Sequence, residues 1–251
     1  LRLIGVDRQC IGVTPPGMLH MVGAATQRAL RPGVDDIERQ RRMDRNRRVQ
    51  AGRRIPGLVT HAGDELAALA GKDPLQARLE LMSEHPQHAG VLKLAAEKAG
   101  WGKSVNEGVY QGLAVCKAFA SYVAACAEVS VDDGGTLKMH RIVAATDPGY
   151  AVNPQQIEAQ VEGSFAYGLS ALLYGEITVK DGRVEQGNFD TYPMLLIDEM
   201  PKVDVIIMPS GGFWGGVGEP TIAVAAPAVL NAIFAATGKR VRRLPIGNQL
   251  A

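Results

Sequence analysis

Cysteine is scarce in this 251-residue chain, which contains only Cys10, Cys116 and Cys126. No two of them have the C-x-x-C spacing. This excludes a disulfide framework, and it excludes a zinc or iron–sulfur site supplied by this chain alone.

The chain also lacks a large net charge and long apolar runs. Its formal charge is +1, which gives no general attraction to nucleic acid or to an anionic membrane. The longest apolar stretch, residues 222–236, is interrupted by Pro227 and Asn231. It is therefore predicted to be a core helix and not a transmembrane segment. With 46% hydrophobic and 21% charged residues, the chain can bury a core.

Arginine, by contrast, is concentrated near the start. Residues 1–58 hold 12 of the 18 arginines, eight of them in "RQRRMDRNRRVQAGRR". No aromatic residues are interleaved there, so a solvated or poorly ordered segment is favoured over a nucleic-acid patch. In the remainder, acidic residues outnumber basic ones. We therefore expect an atypical segment at 1–58, one folded domain at 59–251 and no nucleic-acid partner.

Capping residues predict a series of helices. Asp64 and Gly71 are expected to begin and end a first helix, and Asp73 with Pro74 begins a second. A third helix is expected to end at Gly100.

The strongest helical pattern is "NPQQIEAQVEGSFAYGLSALLYG". Asn153 is its expected cap, Pro154 its first residue and Gly175 its end. One apolar stripe runs along it: Ile157, Val161, Phe165, Leu169 and Leu172.

Strand patterns come mostly in pairs. "YVAACAEVSV" and "TLKMHRIVAAT" flank the turn sequence "DDGG", which predicts a hairpin. "GEITV" and "RVEQGNF" predict a second hairpin, and "VDVIIM" a buried strand. That strand is followed by a glycine-rich turn and a last helix that ends near Gly238. Hairpins with helices between them favour an α+β fold.

The glycine-rich turn, "GGFWGGVGEP", precedes the last helix and is the candidate site. It is not a Walker loop, because Val217 stands where a lysine is required, and no G-x-G-x-x-G register fits. Its backbone N–H groups could hold an anionic oxygen. Two interpretations of Glu219 stay open: it complements the helix dipole, worth about 0.3–1 kcal/mol, or it is a general base beside a cofactor.

Several stretches resemble the molybdopterin-binding large subunit of the xanthine dehydrogenase/aldehyde oxidase family, and in particular its isoquinoline 1-oxidoreductase β-subunit group. They include "GGVGEP", "AAPAVLNAIFAATGKRVRRLPI", "DELAALAGKDPLQARLELM", "VLKLAAEKAGWG" and "NPQQIEAQVEGSFAYGLSALLYGEITVKDGRVEQGNFDTYPML". The resemblance is collinear from about Asp64 to Ile246. It implies the C-terminal part of a molybdopterin-binding domain, with β-hairpins and packed helices.

The resemblance also implies roles for particular residues. Glu219 corresponds to the family's active-site base, which takes a proton from a Mo–OH group as its oxygen attacks a C–H carbon. Gln160 corresponds to a glutamine that hydrogen-bonds the pterin; its alternative is an exposed polar residue of the helix. The other implied cofactor-binding residues are Gly215, Gly216, Val217, Gly218, Tyr150, Ala151, Val152, Asn153, Pro154, Gln155 and Gln156.

By the same resemblance, molybdenum is held through the pterin, in the cytosine dinucleotide form, and not by a protein side chain. The substrate is an aldehyde or an N-heterocycle. Electrons pass to a separate small iron–sulfur subunit and then to a cytochrome c or another acceptor, in the bacterial cytoplasm or periplasm. Residues 1–58 do not match the family, so a truncated, non-catalytic remnant or a subunit that binds only the cofactor or a partner is the alternative.

Overall fold

The computed structural model of the protein describes residues 61–103 and 106–251. The arginine-rich segment at 1–58 lies outside the described residues, so the domain boundary before residue 59 stays a prediction. The elements, in chain order, are α1 (His61–Leu69), α2 (Pro74–Leu81), α3 (Pro86–Ala99), β1 (Tyr110–Ala118), β2 (Ser121–Val131), β3 (Leu137–Asp147), α4 (Pro154–Leu173), β4 (Val179–Lys180), β5 (Arg183–Val184), β6 (Lys202–Ile207) and α5 (Ile222–Thr237).

Most of the predicted helix ends are confirmed. Asp73 accepts a hydrogen bond from the N–H of Gln76 at 2.8 Å, and Pro74 is the first residue of α2. Gly100 and Gly238 have left-handed backbone, with φ of +68° and +69°, directly after α3 and α5. A residue without a Cβ adopts that conformation readily, so glycine ends both helices.

The prediction that Asp64 caps α1 is wrong. The helix begins at His61, and Asp64 lies within its first turn. Its buried carboxylate accepts hydrogen bonds from Arg78 Nη1 and Arg240 Nη1, each at 3.2 Å. A buried charge requires partners of opposite sign, and here that requirement outweighs the preference of aspartate for a helix start.

The predicted α+β fold is confirmed. A four-stranded sheet has the order β1-β2-β3-β6, and β4 and β5 form a separate short hairpin. Strands β1, β2 and β3 are antiparallel neighbours, joined by hairpins, whereas β6 pairs with β3 in parallel. The hairpin patterns did not predict this parallel pair.

The prediction that "VDVIIM" forms a strand is confirmed, but the predicted burial of that strand is wrong. In the part of the chain that the structure describes, β6 is at the edge of the sheet and β3 is its only strand partner. Its residues are half-buried except for the exposed Lys202. An apolar run is fully buried when neighbours and covering helices surround it, which is the position of β2 and not of β6.

Helices cover both faces of the sheet. Gln111 Nε2 donates a hydrogen bond to the C=O of Ala99, at the end of α3, at 2.9 Å. The next residue, Gly112, faces α5, because a Cβ there would lie 2.1 Å from the backbone nitrogen of Ala232. Successive strand residues point to opposite faces, so α3 and α5 pack on opposite sides. This explains why Leu113–Cys116 are all buried.

Helix α5 is the predicted core helix. Every residue from Ala223 to Ile233 is buried. Its one polar interruption, Asn231, donates from Nδ2 to the C=O of Leu113 in β1 at 2.9 Å. Within residues 61–103 and 106–251, no helix is both long and apolar enough to cross a membrane.

Candidate functional site

Three chain segments meet at the end of the sheet where β3 and β6 have their carboxyl ends, here called the site edge. Because β3 and β6 are parallel, the segments that follow them leave from the same edge: the β3–α4 loop (residues 147–153) and the glycine loop (residues 208–219). The turn Phe119–Ala120 between β1 and β2 lies there too, because Tyr122 pairs with Asp147. Ligand sites of open sheets commonly lie beyond the carboxyl ends of parallel strands.

Backbone hydrogen bonds join the β3–α4 loop to the glycine loop. The N–H of Gly211 donates to the C=O of Gly149 at 2.6 Å, and the N–H of Gly215 donates to the C=O of Pro148 at 2.8 Å. A Cβ at Gly149 would lie only 2.1 Å from the carbonyl oxygen of Phe213. Glycine at position 149 therefore permits the two loops to touch.

The glycine loop is also fastened to the β1–β2 turn. The N–H of Gly216 donates to the C=O of Phe119 at 2.8 Å, and Ser121 Oγ donates to the C=O of Gly216 at 2.5 Å. A Cβ at Gly215 would lie 2.2 Å from Ser121 Oγ. Packing against Ser121 is thus sufficient reason for glycine at 215, without any bound ligand.

Helix α4 brings Gln160 to the glycine loop. A Cβ at Gly218 would lie 3.6 Å from Gln160 Oε1, so the amide faces the backbone at this glycine. One turn further along α4, the hydroxyls of Ser164 and Thr221 form a hydrogen bond. A turn beyond that, Gly168 packs closely against the first turn of α5. These contacts, at a spacing of four residues, place the exposed Gln160 beside the start of α5.

Glu219 lies at the end of the glycine loop, before α5 begins. The helix starts at Ile222 with Thr221 as its cap residue, and the N–H of Ile222 donates to the Glu219 C=O at 3.0 Å. The Glu219 side chain is exposed, and no other described residue hydrogen-bonds or ion-pairs with its carboxylate. It is therefore close enough to the helix start to complement the dipole, and both interpretations of this residue stay open.

The start of α4 is the other predicted part of the site. Asn153 caps the helix and accepts a hydrogen bond from the N–H of Gln156 at 3.3 Å. The rings of Tyr150 and Trp214 stack across the two loops, with centroids 5.6 Å apart. The remaining predicted residues here are the half-buried Ala151 and the exposed Val152, Pro154 and Gln155.

The structure thus brings together most of the residues that sequence reasoning assigned to the site. Val217 differs from its neighbours, because it is half-buried and packs against the hydrophobic core. Only its backbone is left to face a ligand. The roles of all these residues stay predictions.

The exposed groups suit a ligand with an anionic group. Glycine at 218 leaves open the space beside the Gln160 amide that a side chain would fill. The N-terminus of α4 favours an anionic group such as a phosphate. In the described part of the chain, no three His, Cys, Asp or Glu residues are grouped so as to hold a metal ion.

Sequence reasoning missed four residues that shape the site edge: Phe119, Ser121, Asp147 and Ser210. Phe119 and Ala120 both have positive φ, +49° and +65°, in a two-residue hairpin turn. Two-residue hairpin turns usually contain Asn or Gly. Neither residue is present here, so the turn was not predicted. Asp147 carried a weak signal, because an Asp-Pro-Gly sequence follows a strand there.

The fold and site define a domain that presents loops from parallel strand ends beside a helix N-terminus. Residues 20–201 match the model of the molybdopterin cofactor-binding domain. The match covers well over half of the chain, and the chain belongs to this family. The match begins at residue 20, so the expectation that residues 1–58 do not match the family is wrong for residues 20–58. It includes the β3–α4 loop and Gln160, and it ends before the glycine loop.

Two curated relatives are similar over most of the chain. One is a membrane-bound aldehyde dehydrogenase [pyrroloquinoline-quinone] of Gluconacetobacter polyoxogenes, 32% identical over 73% of this chain and 26% of its own length. Another is the isoquinoline 1-oxidoreductase subunit beta of Brevundimonas diminuta, 31% identical over 75% of this chain and 25% of its own length. The chain spans about a quarter of the length of these relatives.

Among solved structures, quinoline 2-oxidoreductase from Pseudomonas putida 86 is 21% identical. The alignment covers 51% of this chain and 18% of that one, with a TM-score of 0.46.

Proposed function

We propose that this chain forms the cofactor-binding end of a molybdenum hydroxylase, an oxidoreductase that oxidises an aldehyde or an N-heterocycle at a C–H carbon. The observation that supports this most directly is the approach of Gln160 to Gly218, immediately before Glu219. These residues were assigned to one cofactor from separate stretches of sequence. The fold places them side by side on an exposed edge.

Each part of the site edge has a role in this proposal. When bound, molybdopterin supplies a metal centre that oxidises the substrate carbon. The Gln160 amide and the exposed backbone at Gly218 hydrogen-bond the pterin. The N-terminus of α4, capped by Asn153, attracts the pyrophosphate of the dinucleotide form. Glu219 takes a proton as general base, a contribution of typically about 10²- to 10⁴-fold in rate.

We infer a separate iron–sulfur subunit as the partner. The chain's three cysteines include no C-x-x-C pair, and one relative is named as a β subunit. Electrons would then pass on to a cytochrome c or another acceptor. The proposed nucleotide form of the cofactor is the cytosine dinucleotide.

The name of one relative and the matching family model point to different cofactors. One carries pyrroloquinoline quinone in its name, whereas the family model that matches residues 20–201 is that of a molybdopterin domain. We favour molybdopterin, because the exposed Gln160 amide and the α4 N-terminus suit a pterin with a phosphate group. Metal and quinone analysis of the same sample separates the two.

The test begins with molybdenum, measured by mass spectrometry on the chain co-expressed with the maturation machinery and an iron–sulfur partner. Near-stoichiometric molybdenum and no quinone are expected. In Glu219→Gln we expect metal content to stay unchanged and aldehyde or N-heterocycle oxidation to fall by about 10²-fold or more.

Glu162→Gln is the matched control, because Glu162 is an exposed glutamate of α4 away from the glycine loop. It should keep both metal and activity. Molybdenum at background level in the wild-type chain would instead favour the alternative, a truncated, non-catalytic remnant or partner-binding subunit. Equal activity of Glu219→Gln and wild type would refute the role of Glu219.

A further inference from the structure

Asp147 carries an unusual set of contacts for a carboxylate. It is fully buried at the end of β3. Its Oδ1 accepts three hydrogen bonds: from the N–H of Gly149 at 2.8 Å, from the N–H of Ser210 at 3.1 Å and from the hydroxyl of Ser210 at 3.0 Å. Its Oδ2 is buried and accepts none from the described residues. One oxygen atom therefore ties the β3–α4 loop to the glycine loop.

The other bonds between the two loops lie close to this oxygen. Gly211, which follows Ser210, donates to the C=O of Gly149, and Gly215 donates to the C=O of Pro148. Both acceptors belong to the two residues directly after Asp147. By contrast, Gly216 is held by the C=O of Phe119 on the β1–β2 turn and does not depend on these contacts.

We propose that Asp147 is a positioning residue for the site. It fixes the start of the glycine loop against the β3–α4 loop, and so sets where the loop that ends in Glu219 stands relative to the N-terminus of α4. An acceptor-only group suits this task, because three donors converge on one atom. An asparagine would have to bury an NH₂ group where Oδ2 finds no partner among the described residues.

Amide hydrogen exchange of the full chain, read by NMR, tests this directly. In Asp147→Asn, the amides of Gly211 and Gly215 should exchange about tenfold faster, although neither bonds to Asp147. The Gly216 amide should stay within about twofold of wild type. Unchanged exchange at Gly211 and Gly215, or an equal rise at Gly216, would overturn the proposal.

A milder variant covers the case in which Asp147→Asn fails to fold. Ser210→Ala removes one of the three donors, and Ser210→Thr restores the hydroxyl. We expect faster exchange at Gly211 and Gly215 in the first and rescue in the second. Ser170→Ala is the matched control, since Ser170 Oγ accepts from the Leu195 N–H at 3.0 Å, away from the site edge. If the alanine variant at 210 and the control behave alike, the proposal fails.

The consequence for the cofactor rests on the proposed function. In Asp147→Asn, molybdenum content or kcat should fall while KM stays near wild type under conditions in which the variant is fully folded, a split that general destabilisation would not give. A variant with full metal content and unchanged kcat would overturn this part. If wild type itself holds no molybdenum, the proposed function fails, whereas the exchange experiment still decides the positioning role.

Discussion

The imidazole of His88 lies edge-on against the ring of Tyr122, with ring centroids 4.7 Å apart. Burial in this position, together with the nearby charges of His85 and Lys117, lowers the pKa of His88 from 6.5 to about 4. Lys117 also donates a hydrogen bond to the Tyr122 hydroxyl at 3.0 Å. The folded protein therefore keeps His88 neutral at a pH where the unfolded chain protonates it.

This difference makes stability depend on pH. The contribution is fully present above pH 6.5 and is lost as pH falls from 6.5 toward 4, because only the unfolded state takes up the proton. The side chain is partly exposed, so we expect a discounted loss of about 1 kcal/mol between pH 7.5 and pH 5. His88→Phe should keep the ring contact and reduce this slope, as measured by urea unfolding at both pH values. A variant with the wild-type slope would contradict the assignment.

Single residues also show why parts of the site escaped prediction. Asn153 and Pro154 made the start of α4 predictable from the sequence, because helix capping depends on residues that are neighbours in the chain. The turn at Phe119 and the contacts of Asp147 depend on chain segments that are far apart in sequence. No local pattern reports which donors a buried carboxylate will meet.

At the scale of the elements, the backbones of α5 and β1 pack closely together at Gly112. A Cβ at Gly112 would lie 2.1 Å from the nitrogen of Ala232 and 2.3 Å from the carbonyl oxygen of Ala228. Because neither is the end of a flexible side chain, relief requires the helix to move away from the strand. Asn231 already bonds to β1 at this crossing.

Gly112→Ala should therefore lower the free energy of unfolding by about 1–3 kcal/mol or more. Gly163→Ala is the matched control, since nothing lies within 4 Å of a Cβ there and the residue is exposed within α4. Removing a helical glycine should stabilise by about 0.5–1 kcal/mol. Urea denaturation of both variants measures the difference. Equal urea midpoints for Gly112→Ala and Gly163→Ala would show that α5 moves away from β1 without loss of stability.

The helices and strands themselves were largely predictable from sequence. Which of them pair or pack together was not. Periodicity and caps gave α4, the end of α5 at Gly238 and the β2–β3 hairpin, since each is set within a short stretch. The pairing of β3 with β6 and the exposed side of β6 depend on how the chain packs in space. Helix α4, which lies between the two strands in sequence, must first be placed before they can pair. The same limit applies to the site, where Gln160 meets Gly218 only through the packing of α4 on α5.

At the scale of the whole molecule, the buried carboxylate of Asp64 joins segments that are far apart in the sequence. Its partners are Arg78 in α2 and Arg240 after α5, both nearly inaccessible to solvent. Burial lowers the pKa of Arg78, and the charge of Asp64 opposes that shift. The guanidinium of Arg240 also lies over the ring of Phe234, 3.3 Å from its centroid. This network attaches the first two helices to the C-terminal part of the fold.

Asp64→Asn would remove the charge that two buried arginines share, and we expect a loss of about 3–5 kcal/mol in the free energy of unfolding. Glu65→Gln is the neighbouring control, because Glu65 pairs with Arg242 at the surface. Its loss should be within about 1 kcal/mol. Thermal or urea unfolding distinguishes them. Similar losses in the two variants would show that burial adds nothing to the Asp64 contacts.

The parallel pairing of β3 with β6 has a consequence for how the chain acquires its shape. The β1–β2 and β2–β3 pairs close over short turns, whereas the β3–β6 pair must wait for the whole of α4 and the β4–β5 hairpin to be placed. Pairings of long sequence separation carry the larger entropic cost of closure. We expect β6 amides to gain protection after those of β2 in pulse-labelled refolding. The edge that gathers Gln160, Gly218 and Glu219 would then be completed last, so a cofactor that binds there can engage only the finished fold and draws the folding equilibrium toward it.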